Sequence, residues 1–107
     1  MKRGDLWVAR ADLYASKARP VLIIQSDKVS DYNSIITCLV TSYELADDEL
    51  RIRIEPTRSN GLETTSYLML DKIFSFDKND LTKRIGELSE SEMDGVNSAL
   101  RYILGLE

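Results

Sequence analysis

The chain contains no histidine and a single cysteine among its 107 residues. Without imidazole, the usual side-chain acid and base of a metal-free nuclease is missing, and so is any histidine-containing zinc site. One thiol cannot build the cysteine-rich alternatives. Cys38 has no partner for an internal disulfide. It lies in the apolar stretch Ile35 to Val40, where it is expected to pack as a small hydrophobe, and no histidine is at hand to activate it. Long apolar runs are also absent. Nothing approaches the roughly 20 residues of a membrane-spanning helix, and the start, Met1-Lys2-Arg3-Gly4-Asp5, has no apolar segment after its basic pair. A cytoplasmic location is the expectation. No repeat, low-complexity tract or flexible linker interrupts the chain, so residues 1–107 are expected to form one domain.

Positive charge is not in excess either, since the net charge is -4. The deficit is local. Residues 1–85 carry 13 basic and 13 acidic side chains, whereas residues 86–107 set Arg101 against Glu87, Glu90, Glu92, Asp94 and Glu107. The acidity belongs to the C-terminal segment, and the rest of the chain can still present a basic face to phosphates. The run Asp47-Asp48-Glu49 has no partners at metal-ligand spacing and reads as a solubilising loop.

What is present is a series of short apolar segments punctuated by turn formers. Leu6 to Ala9, Val21 to Ile24 and Ile35 to Val40 read as strands. Arg51-Ile52-Arg53-Ile54 alternates as a strand with one wet face does. Ser66 to Leu70 follows the turn-like Ser59-Asn60-Gly61, and Ile73 to Phe76 adds a sixth. The period then changes. Ser89 and Glu92 form a capping box, Leu88 and Met93 a hydrophobic staple, and Met93, Val96, Leu100, Ile103 and Leu104 fall on one helical face. The weaker pattern Lys78 to Ile85 predicts a second short helix beginning at an Asp77 cap. The expected fold is mainly β: five or six short strands in a small, strongly bent, barrel-like sheet, closed by a C-terminal helix.

Four segments spread over nearly the whole chain carry a resemblance. Lys2-Arg3-Gly4-Asp5-Leu6-Trp7, Ala18-Arg19-Pro20-Val21-Leu22-Ile23-Ile24-Gln25, Ile36-Thr37-Cys38-Leu39-Val40-Thr41-Ser42 and Leu68-Met69-Leu70-Asp71-Lys72-Ile73 resemble the MazF/PemK family of RNA-cleaving toxins in order and spacing. The specific part is an Arg-Pro before an aliphatic strand, with a second strand ending in Thr-Ser about twenty residues on. The resemblance implies an SH3-like plasmid-toxin barrel working as a homodimer. It implies metal-independent, sequence-specific cleavage of single-stranded RNA without a cofactor, and inhibition by an antitoxin whose acidic disordered tail fills the RNA groove. By position the family's catalytic arginine falls on Arg19, its catalytic threonine on Thr41 and a later aspartate on Asp71.

Those residue types suit the chemistry. RNA carries its own nucleophile in the 2′-hydroxyl, so an enzyme need only align it, neutralise developing charge and help the 5′-oxygen leave. A guanidinium stays protonated at neutral pH and can grip a phosphate bidentately, which suits Arg19. Thr41 would hydrogen-bond the scissile phosphate, and Ser42 either shares that work or continues the turn. Lys17, Lys28, Arg51, Arg53 and Arg58 are candidate phosphate contacts. Tyr14 is the expected stacking aromatic, while Trp7, between Leu6 and Val8, is expected in the core. Three features depart from the family pattern: a short segment between the first two strands, Met69 where some members carry a second basic residue, and the sequence Phe74-Ser75-Phe76-Asp77. The rival readings on the same fold are a gyrase poison of the CcdB type and a catalytically inactive nucleic-acid-binding domain.

Overall fold

The computed structural model describes residues 1–10, 18–44 and 50–106. Six strands and one helix follow in chain order: β1 (Asp5–Ala9), β2 (Arg19–Ile23), β3 (Ser34–Thr41), β4 (Arg51–Ile54), β5 (Ser66–Asp77), β6 (Leu81–Glu87) and α1 (Glu90–Leu104). The strands form a single sheet in the order β4-β5-β3-β2-β1-β6, and every neighbouring pair is antiparallel. Among the described residues no helix is long and apolar enough to cross a membrane.

Alternation along each strand divides the side chains between two faces. One face carries Leu6, Leu22, Cys38, Val40, Leu68 and Leu70, and α1 covers it with Val96 and Leu100. The other carries Ala9, Val21, Ile23, Leu39 and Met69, with half-buried Trp7 packed against them. The two segments expected as separate strands, Ser66 to Leu70 and Ile73 to Phe76, are one long β5. It is broken by a wide bulge: Cys38 pairs with Ile73, yet the next residue, Leu39, pairs with Met69. Such a bulge bends the strand and sharpens the sheet's twist.

The sheet closes through the segment that leaves β4. The Glu87 amide donates to the Ser59 carbonyl at 2.9 Å, which ties this segment to β6 at the opposite edge. The contact is backbone against backbone. A Cβ on Gly61, whose φ is +67°, would meet the Ile85 carbonyl oxygen at 1.9 Å, and one on Gly86 would meet that of Ser59 at 2.3 Å. Buried Asn60 holds the turn from within, accepting from the Thr57 and Leu62 amides and donating to the Glu55 carbonyl. Two glycines are therefore the condition for the barrel-like closure.

The helix begins where the capping box predicts, with the Ser89 hydroxyl accepting from Glu92 and the Glu92 carboxylate accepting from Ser89. It ends at Gly105, whose left-handed φ of 70° is the common helix stop. Two further expectations fail. Asp77 does cap a turn, but the turn is a single 3-10 segment, Lys78–Asp80, and Leu81 onward is strand β6 rather than helix. The period-3.6 reading of Lys78 to Ile85 loses because β6 pairs along the whole of β1, across two register shifts. Leu104 is also not on the covered face: it is half exposed, with Tyr102 and Leu106 more so.

Candidate active site

Arg19 opens β2 and Thr41 closes β3. The ladder between them pairs Val21 with Leu39, Leu22 with Cys38 and Ile23 with Thr37, and continuing that register sets Arg19 opposite Thr41. Thr41 itself pairs with Tyr67 on its other side, and Tyr67 pairs with Arg53. Directly opposed residues in an antiparallel sheet share a face, so Arg53, Tyr67, Thr41 and Arg19 form one row across four neighbouring strands. With strands about 4.8 Å apart, the row is about 14 Å long. The next level of the same face holds Arg51, Met69, Leu39, Val21 and Trp7, with Arg84 opposite Trp7 on β6. Guanidinium groups thus flank an apolar and aromatic centre.

Arg19 is half-buried, and its Nε is shielded from solvent without a hydrogen-bond partner. A buried donor with no acceptor is costly, and a phosphate oxygen would satisfy it. Thr41 is buried, and its Oγ1 accepts the Tyr43 amide at 3.1 Å, which fixes the side chain. Arg53 pairs with Glu55 at 2.6 Å, an exposed ion pair of the kind worth little. At the same end of the sheet, but on the face opposite Thr41, Tyr67 and Arg53, a groove of about 430 Å³ is bordered by Arg19, Val40, Ser42, Glu63, Thr64 and Ser66.

The structure brings Arg19, Thr41, Ser42 and Arg53 to this end of the sheet. Asp71 is elsewhere: it stands exposed in the β5 bulge, 3.7 Å from Lys72. Lys28 follows the far end of β2, where its amide donates to the Ser26 hydroxyl. Arg58 is exposed on the closing segment. Tyr14 and Lys17 lie outside the described residues. The N-terminal motif holds the fold together rather than lining the site. Asp5 is buried, accepting from the Lys2 amide and the Arg84 guanidinium, and Arg3 donates through Nε to the Ile24 carbonyl. Tyr67 and Glu63 also stand at this end of the sheet, and sequence reasoning did not single them out. Tyr67 is visible only through its pairing with Thr41, and Glu63 only through the loop that carries it to the groove.

Among the described residues no group of three or more Asp, Glu or Cys side chains is placed to hold a metal ion. Cys38 is fully buried in the helix-covered core, and burial pushes its thiol up to about 12. It takes no part in this face.

Comparison with known proteins decides the lineage. Residues 2–104 match the model of the PemK-like, MazF-like toxins of type II toxin-antitoxin systems. The chain belongs to this family. A probable endoribonuclease MazF of Mycolicibacterium smegmatis is 42% identical over 107 residues, covering 99% of this chain and 98% of that protein. Endoribonuclease EndoA of Bacillus subtilis is 30% identical over 112 residues, covering 99% and 96%. Among solved structures, a mycobacterial endoribonuclease in complex with its cognate antitoxin superposes with a TM-score of 0.84 over 100% of this chain and 97% of that one, at 24% identity. The expected barrel of a MazF/PemK-type toxin is therefore the observed one.

Proposed function

We propose that the chain is a sequence-specific, metal-independent endoribonuclease that cuts single-stranded RNA in the cytoplasm, the toxin of a type II toxin-antitoxin pair. The observation that carries this reading is the buried, unpartnered Nε of Arg19 at the end of a row that also holds Thr41. A phosphate seated there would receive the guanidinium and the Thr41 hydroxyl. The 2′-oxygen then bonds to phosphorus as its proton passes to solvent, and the 5′-oxygen leaves with a proton, giving a 2′,3′-cyclic phosphate. Arg19 stabilises the charge that builds on the non-bridging oxygens, the largest contribution available to a site of this kind.

A homodimer fits the same reading. Between α1 and the sheet, a groove of about 630 Å³ is bordered by Ile24, Ile36, Ile73, Leu104 and Leu106. An apolar surface of this extent is usually covered, and an isologous contact is the commonest way. The family's antitoxin, with an acidic disordered tail, would compete with RNA for the basic row. MazE-MazF complexes from Deinococcus radiodurans are among the structural neighbours.

The deciding experiment is cleavage of a mixed RNA pool in excess EDTA, with fragments sequenced and a DNA gyrase assay in parallel. Cutting at one short sequence in chelator supports the proposal. Gyrase inhibition without RNA cleavage would move the chain to the CcdB-type reading, and loss of cutting restored by Mg²⁺ would overturn metal independence.

A further inference from the structure

Tyr67 occupies the middle of the basic row, between Thr41 and Arg53, and it is half-buried. Its neighbours along β5, Ser66 and Leu68, turn to the opposite face, so the ring stands on the same face as Arg19 and Val21. Desolvation pushes its phenol up, the Glu44 and Glu55 carboxylates push the same way and the Arg53 guanidinium pushes it down; an ordinary phenol is already neutral at neutral pH, so the ring presents an uncharged aromatic face. An aromatic ring one strand away from a phosphate-binding hydroxyl, with guanidinium groups on either side, has the composition of a single-strand binding platform: cations track the backbone while a base lies on the ring.

We infer that Tyr67 stacks on the unpaired base of a nucleotide flanking the scissile phosphate and so holds the RNA in register with Arg19 and Thr41. The inference rests on the ribonuclease reading and deepens it. Stacking acts on any base, because every base has a π-face, so Tyr67 sets affinity and alignment while other contacts choose the sequence. Splaying one base out of the chain also turns the sugar that carries the attacking 2′-hydroxyl, which is the alignment that cleavage needs. Tyr67 is a positioning residue, and its hydroxyl is not required.

The test compares wild type with Tyr67→Phe, Tyr67→Trp and Tyr67→Leu on the mapped cleavage site, in short RNAs that are intact or abasic at each nucleotide flanking the cut. Wild-type cleavage is read first, and its absence would remove the ribonuclease reading and this inference together. The expected result is near-normal kcat/KM for the aromatic variants and a loss of about five- to a hundredfold for Tyr67→Leu. One abasic RNA should cost wild type a similar factor and cost Tyr67→Leu little more, because ring and base are partners in one contact. The set of sequences cut should not change. If wild type cleaves and Tyr67→Leu stays within threefold of it, or if its loss is as large on every abasic RNA as on the intact one, the stacking role is overturned and the ribonuclease reading stands.

Discussion

Thr41 and Tyr67 are direct partners in the β3–β5 ladder, and the same level of the sheet continues to Arg53 on one side and to Arg19 on the other. Backbone pairing fixes the hydroxyl, the ring and Arg53 side by side, and Arg19 stands two residues before Val21, where the β2–β3 ladder begins. Side chains placed by a ladder are held more rigidly than those on loops, which is what phosphate alignment requires.

Arg19→Ala should lower single-turnover RNA cleavage about a hundred- to a thousandfold, or about 2.7 to 4 kcal/mol, as loss of one preorganised donor does elsewhere. RNA binding should fall much less. Arg19→Lys restores the charge without the planar fork, so it should recover binding and little of the rate. Activity of Arg19→Ala within threefold of wild type would remove Arg19 from the mechanism.

Thr41→Val is nearly isosteric but deletes the oxygen that accepts the Tyr43 amide, so stability should drop by about 1 kcal/mol. Cleavage should fall by less than in Arg19→Ala, and the double variant should lose less than the product of the two effects, because both groups hold one phosphate. Strictly multiplicative losses would place them on separate steps.

Gly61→Ala forces a methyl group to within 1.9 Å of the Ile85 carbonyl oxygen at a positive φ, and it should cost about 2 to 4 kcal/mol in urea unfolding. Gly95→Ala is the counterpart on the exposed side of α1, where an added Cβ meets nothing within 4 Å. It should gain about 1 kcal/mol. A neutral Gly61→Ala would mean that the closing segment does not bear on β6 in solution.

Cys38 should resist alkylation at pH 8 in the folded protein and react only as fast as the chain unfolds. Its thiol, raised by burial from 9.0 to about 12, holds its proton longer when folded than when unfolded. The folded state therefore loses this advantage as pH climbs from about 9 toward 12, and stability falls over that window. Rapid labelling at pH 8, without unfolding, would show that the helix-covered core opens locally.

The sequence by itself determined the parts whose physics is local. Strand alternation, the Ser89–Glu92 cap and the lone buried cysteine could be read from residues a few positions apart, and the absence of histidine limited the chemistry before any fold was known. Arg19 and Thr41 were legible as the ends of two strands through the family resemblance. Local pattern misled at Lys78 to Ile85, because a ladder with β1 outweighs a weak helical period, and at Leu104, because the sheet covers less of α1 than the pattern asked. Only the tertiary structure decided which candidates meet. The antiparallel register brings Arg53 and Tyr67 into line with Thr41 and strands Asp71 in a bulge, and the closing segment carries Glu63 to the groove. Register is a sum of many pairings along a strand, so no single residue in the sequence announces its partner.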